Sequence, residues 1–228
     1  MTDRELLRLH IEAVWNLALP PLDEAAHELV LTESLPPWNL YLGSFTQTQV
    51  AVWHAAVGPE QRVPLLEHAH QADVVWERAL EMRREVVFHY PLISPEQQTR
   101  AQQLARVLAV DDTDLINTFE AESAPIFLKP RNAPCIGVIV DGRLLTVAHS
   151  SRQTPTACEL GIDTLPEARR QGYAAAATIL WTATVQQKGL IPIYSAHAEN
   201  TASLRLAKAT GYLHRIDGVY GPIAEFAE

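Results

Sequence analysis

The stretch Glu159–Tyr212 limits the fold most, and within it the turn Arg169-Arg170-Gln171-Gly172-Tyr173-Ala174. Ahead of the turn, Thr156–Asp163 places Cys158, Leu160 and Ile162 on one side, the period of a half-buried strand. Behind it, Gly172–Lys188 is rich in alanine and other helix formers and stops at Gly189. The turn therefore carries the chain from a strand to a helix N-terminus. There the first backbone N–H groups lack intrahelical partners and the macrodipole is positive. Gly172 lets an anion approach the backbone, small Ala174 keeps the first helical turn open, and Arg169 and Arg170 add positive charge. Cations at a helix N-terminus are disfavoured unless an anion joins them, so anion binding is expected over a merely solvated arginine pair. No G-x-x-x-x-G-K-[ST] loop occurs, and the glycines lack the spacing of a dinucleotide fold.

Beyond the first helix, Ile191–Ala196 predicts a further strand. Asn200-Thr201-Ala202-Ser203-Leu204-Arg205-Leu206-Ala207-Lys208-Ala209-Thr210-Gly211-Tyr212 predicts a second helix, with Asn200 as N-cap and Gly211 just past its end. Arg169-x-x-Gly172-x-Ala174 resembles the acyl-CoA loop [QR]-x-x-G-x-[GA] of the GNAT superfamily of N-acyltransferases. The Asn200–Tyr212 segment resembles that family's second signature, N-x-x-[AS]-x-x-[LV]-x-x-K/x-x-G-[FY], in the expected order, and the likeness covers roughly residues 134–222. The fold that this implies is α/β of the α+β type: a GNAT-like mixed, mostly antiparallel central sheet flanked by helices, with an extra N-terminal α/β region. Residues 92–228 are then a GNAT-like acetyltransferase domain, and residues 1–91 an N-terminal region that carries no matched motif.

The resemblance implies acetyl-CoA as co-substrate and the primary amine of a small molecule or a peptide or protein as acceptor. The N–H groups of Gln171, Gly172, Tyr173 and Ala174 would cradle the pyrophosphate, aided by Arg169 and Arg170. Backbone groups of Ile162, Asp163 and Thr164 would pair with the pantetheine arm. Asn200 would contact pantetheine or act as an N-cap, or both, with Ser203 on the same helix face. Many relatives carry a tyrosine seven residues after the asparagine as general acid; this chain has Ala207 there. Glu159 and His197 are the candidate general bases, with His149 a third, and Tyr173, Tyr212 and Tyr220 remain as proton donors. The same departure at Ala207 supports an alternative, a CoA-binding sensor or interaction module with little or no catalysis. Dimers are common among such proteins, so a homodimer fits the resemblance too.

A net charge of −9 argues against a general nucleic-acid surface, which needs a basic face. No apolar run approaches the ~20 residues that span a bilayer, so no membrane is expected. The first residues carry both charge signs and no signal-peptide apolar core, and Cys135 and Cys158 sit in apolar runs as small buried hydrophobes. A cytoplasmic location is the expectation. Glu67-His68-Ala69-His70 with Asp73 has metal-type ligands, but two histidines two apart on a helix diverge, so no metal is expected.

In chain order, helices are expected over 4–19, 23–31 and 60–84, and strands over 38–45, 49–55 and 86–90. Ser94-Pro95-Glu96-Gln97 predicts a capped helix start, with Ala101, Leu104, Ala105 and Leu108 inward, and Asp111-Asp112 a short helix through Leu115, Ile116 and Phe119. Asp141-Gly142 between two β-branched runs predicts a hairpin, and Gly218 a final hairpin between 213–217 and 219–223.

Overall fold

The computed structural model describes residues 1–33, 35–46, 48–71 and 82–223. The chain forms two compact units. The first holds Met1–His89, Ser195–Leu204 and the chain from His214 onward; the second holds Tyr90–Tyr194 and Arg205–Leu213.

In the first unit, α1 (Asp3–Trp15) starts at Thr2, whose hydroxyl accepts from the Glu5 N–H, and ends at Asn16 in the left-handed region. The sheet is built from β1 (Glu28–Leu31), β2 (Trp38–Ser44), β3 (Gln49–His54), β4 (Arg83–His89) and β10 (Leu213–Ile223), in the order β1-β3-β2-β10-β4. α2 (Pro59–Gln71) packs on β2. Three sequence expectations change here. The segment expected as a helix over 23–31 ends as β1, because Glu28–Leu31 finds a parallel ladder partner in Ala51–His54. The helix expected over 60–84 gives way to strand by Arg83, and residues 72–81 lie outside the described residues. The expected final hairpin is one continuous strand. Asp217 pairs with Ser44 and Gly218 with Gly43, so Asp217-Gly218 lies inside a ladder and not at a turn.

The core of this unit holds a buried polar cluster. Glu85 Oε1 lies 2.6 Å from His10 Nε2 and accepts from the Tyr41 hydroxyl at 2.7 Å, all three side chains being buried. Burial pushes the Glu85 carboxyl up, but the attraction of His10, the hydrogen bonds from His10 and Tyr41, and the more distant His197 together hold it below its ordinary value. A Cβ at Gly218 would collide with the Tyr41 hydroxyl, so this glycine provides room for the cluster.

In the second unit, Ser94 caps α3 (Pro95–Gln102) with a complete capping box, as the sequence predicts. The helix is shorter than expected: Ala105–Val107 is β5, paired with β6, and Leu104 is exposed. After the short helices α4 (Thr113–Ile116) and α5 (Ala124–Phe127) come β6 (Ile136–Val140), β7 (Arg143–Gln153) and β8 (Ala157–Thr164). Then follow α6 (Tyr173–Gln187), β9 (Ile191–His197) and α7 (Thr201–Ala209), with Ser195–His197 of β9 and Thr201–Leu204 of α7 belonging to the first unit, and the strands are ordered β9-β8-β7-β6-β5. β5, β6, β7 and β8 are mutually antiparallel, and only the β8–β9 pair is parallel. The Asp141-Gly142 turn has φ of 50° and 74°, and Val140 pairs with Arg143, the two-residue hairpin that the sequence predicts.

The two faces of this sheet differ. Trp181 of α6 donates from Nε1 to the Ser150 hydroxyl at 3.3 Å, so α6 covers the face of Ser150 and its cross-strand partner Leu160. The other face carries Val147, His149, Glu159, Gly161 and Asp163 by strand alternation. There Val147 and Leu144 join Ile116, Ala124 and Phe127 in a core beneath α4 and α5. Cys135 belongs to that core, and burial pushes its thiol up to about 12; burial likewise raises Cys158 on β8. Among the described residues no helix is long and apolar enough to cross a membrane.

Candidate active site

The pairing of β8 to β9 runs from Ala157↔Ile191 to Glu159↔Ile193 and stops. Among the described residues, Leu160–Thr164 keep ladder partners on β7 alone. One edge of these residues therefore offers backbone N–H and C=O groups to an extended chain, the geometry of strand addition. Of the residues expected as pantetheine contacts, Ile162 and Thr164 turn their backbone N–H and C=O to this edge, whereas those of Asp163 face Val147 of β7.

The edge leads directly into the arginine turn. Leu165 and a 3₁₀ turn at Pro166–Ala168 follow, Arg169 is extended, and Arg170 is left-handed at φ 64°. Gly172 is the N-cap of α6 at φ 80°, and a Cβ built on it meets no atom within 4 Å. A non-glycine residue in the left-handed region costs roughly 1–2 kcal/mol, and such strain collects at functional turns. Arg169, Arg170, Gln171 and Gly172 are exposed, while Tyr173 and Ala174 are half-buried in the first turn of the helix.

The N-terminus of α6 differs from those of α1, α3 and α7. Thr2, Ser94 and Asn200 cap α1, α3 and α7 with side-chain oxygens. At α6 no side chain caps the helix, and its first turn holds no acidic residue. The positive end of a 15-residue helix thus faces outward beside two guanidinium groups, with its leading amides available to an anion.

Asn200 and Ser203 belong to the first unit. Asn200 Oδ1 accepts from the Ser203 N–H at 3.1 Å, which makes Asn200 an N-cap in its own right. His197 is also in the first unit, on the exposed end of β9. Glu159 lies in the second unit, buried on β8. A bulge opposite it, between Ser150 and Arg152 on β7, brings the Arg152 guanidinium to its Oε2 at 2.7 Å, with the Ser151 hydroxyl at 3.3 Å. Glu159 is therefore held in an ion pair rather than presented to a ligand.

The tyrosines are packed. Tyr212 is buried, shares a 2.7 Å hydrogen bond with the Thr182 hydroxyl, and burial raises its phenol. Tyr220 stacks on Tyr41 within the first unit. Ala207 is fully buried, so the position that holds the proton-donating tyrosine in many relatives has no access to solvent here.

His149 stands out against these. Its ring lies directly over Gly161: a Cβ there would fall 2.5 Å from Cε1 and 2.8 Å from Nε2. Phe127 meets the ring edge-on at 5.1 Å. Burial lowers the imidazole below its ordinary value, partly opposed by Asp163, so the ring is neutral at pH 7. In sequence, His149 is separated from β8 by a turn, and only the register His149↔Gly161 reveals the contact.

Residues 112–217 match the family described as GNAT acetyltransferase. Over these residues the chain is similar to GNAT acetyltransferases. Both signatures lie inside the matched range. Among solved structures, the chain is similar to a GNAT-family acetyltransferase from Novosphingobium aromaticivorans, at 21% identity and a TM-score of 0.47, over 61% of this chain and 64% of that one. It is similar also to a GCN5-related N-acetyltransferase from Kribbella flavida, at 16% identity and 0.44, over 77% of this chain and 70% of that one. A third is the ribosomal-protein-S18-alanine N-acetyltransferase from Escherichia coli, at 15% identity and 0.40, over 54% of this chain and 96% of that one. The chain thus spans less than two thirds of the Novosphingobium protein's length. No curated protein matches it. The likeness to the family rests on the match over residues 112–217 and the motifs within it.

Proposed function

We propose that this protein is an acetyl-CoA-dependent N-acetyltransferase that modifies a primary amine of a small molecule, peptide or protein. One observation carries the reading: the unpaired edge of β8 runs straight into the uncapped, arginine-flanked N-terminus of α6. An extended ligand with amide groups at one end and a diphosphate at the other suits such a track, and the acyl-CoA arm has that chemistry. Ile162 and Thr164 take the amide groups by backbone pairing, with Asp163 between them on the same strand. The amides of Gln171, Gly172, Tyr173 and Ala174 hold the diphosphate, with Arg169 and Arg170 adding charge. Asn200 and Ser203 are assigned to CoA by motif. Acetyl-CoA, as co-substrate, supplies the acyl thioester, and no metal is needed for its aminolysis. The acidic net charge of −9 favours a cationic amine as acceptor, and such an amine must lose a proton before it attacks.

A second reading, a CoA-binding module with little catalysis, is favoured by the buried Ala207 in the usual tyrosine position. Calorimetry with CoA, followed by thiol release from acetyl-CoA over a panel of primary amines, separates the two. Binding with turnover supports the enzyme, binding without turnover across the panel supports the module, and no binding rejects both.

A further inference from the structure

We infer that His149 is the general base of this acetyltransferase, acting across Gly161 on the acceptor amine at the open edge of β8. The inference rests on the acetyl-CoA reading above, which sets the thioester along that edge. Its own support is geometric. His149 and Gly161 are directly paired on neighbouring strands, so their side chains share a face. Because residue 161 has no side chain, the imidazole lies over the β8 backbone itself, with Cε1 and Nε2 nearest to where a Cβ would be. A chain added at the open edge of β8 would run about one strand spacing, ~4.8 Å, from the β8 backbone, with no side chain at 161 between it and the ring. Any other residue at 161 would displace the ring or wall it off.

The surroundings fit a base rather than a structural histidine. Nδ1 is buried and has no hydrogen-bond partner among the described residues. A core histidine without chemistry normally satisfies a buried ring nitrogen. The groups on the same face are Asp163 and Glu159 of β8 and Arg152 of β7, with Phe127 of α5 on the ring edge. Glu159 and Arg152 neutralise each other, which leaves Asp163 as the carboxylate that steadies an imidazolium once it forms. In the reaction, the amine nitrogen bonds to the acyl carbon and its N–H proton passes to His149. The electron pair of the C–S bond leaves on sulfur, and the thiolate takes a proton from solvent.

Three variants test this: His149→Gln, His149→Ala and Gly161→Ala. With the amine that turns over fastest, His149→Gln should lower kcat/KM by about 10²–10⁴-fold and remove from the acid limb of the pH profile the inflection that belongs to the enzyme, leaving that of the amine, while CoA affinity by calorimetry stays within threefold. Added imidazole should restore part of the rate in His149→Ala, and Gly161→Ala should lower kcat with little change in KM for acetyl-CoA. A second readout needs no acceptor: the His149 Cε1–H resonance should differ between protein saturated with CoA and with acetyl-CoA, which differ only in the acyl group. An unchanged acid limb in His149→Gln, or an identical His149 signal in the two complexes, overturns the assignment. Failure of the wild-type protein to bind CoA at all would instead remove the reading beneath it, and the assignment with it.

Discussion

Replacing Gly172 with glutamate separates ligand binding from folding at one residue. A Cβ at this position meets nothing within 4 Å, so the side chain enters open space and no clash contributes. The cost to the fold is backbone strain at φ 80°, roughly 1–2 kcal/mol for a residue with a side chain. Against it stands a carboxylate at an uncapped helix N-terminus, worth about 0.3–1 kcal/mol. The net loss of stability is about 1 kcal/mol, a Tm lower by about 2–4 °C for a chain of this size. Binding responds differently. Even fully screened, a unit charge 4 Å from another interacts by about 1 kcal/mol, so the two charges of a diphosphate contribute about 2 kcal/mol of repulsion. CoA affinity should fall at least about thirtyfold, and further if the turn excludes water. Gly172→Ala, with the same strain and no charge, is the control. Calorimetry and thermal unfolding on the same preparations give both quantities. A Gly172→Glu protein that keeps its Tm within these limits and binds CoA within threefold of wild type would refute a diphosphate at this turn.

Arg170→Gly releases a left-handed arginine, so stability should hold or rise by about 1 kcal/mol while CoA affinity drops about tenfold, seen by denaturant unfolding and calorimetry. Ala207→Tyr, which restores the family's tyrosine, forces a phenol into a sealed site; it should cost about 3 kcal/mol or more in urea unfolding and bring no gain in rate. Glu85 has a folded value below its ordinary one, so its contribution to stability is complete above the unfolded value of about 4.5 and is lost as pH falls through the folded value. Urea titrations from pH 7 down to pH 2 should therefore show a steeper acid loss for wild type than for Glu85→Gln. The variant itself should be weaker by about 3–5 kcal/mol at pH 7, because it breaks a buried pair with His10.

Local chemistry was readable from the sequence wherever neighbours in the chain decide it. Ser94 and Gln97 close a capping box within four residues, and Asp141-Gly142 accepts the two positive φ values that a tight hairpin needs. The strand–turn–helix around Gly172 is likewise set by adjacent residues. What stayed hidden depends on partners far away in sequence. Asp217-Gly218 has the composition of a turn, yet Gly218 is small because Tyr41 and Glu85 occupy the space beside it. Glu28–Leu31 is a strand only because β3 is there to pair with it. The emptiness of Gly161 has meaning only once His149 lies across from it. Glu159 is a candidate base in sequence, and only the bulge in β7 shows that Arg152 is its partner.

β10 inserts between β2 and β4, so the first unit's sheet contains a strand translated long after the others. On the ribosome, Trp38–Ser44 and Arg83–His89 emerge with the slot between them unfilled, exposing backbone and the aromatic surface that Tyr220 later covers. The amino-terminal portion therefore completes its sheet only after synthesis has passed Tyr90–Tyr194 of the second unit. Loss of the final strand would strike the opposite end of the polypeptide first, and a truncation screen should register it there as proteolytic sensitivity.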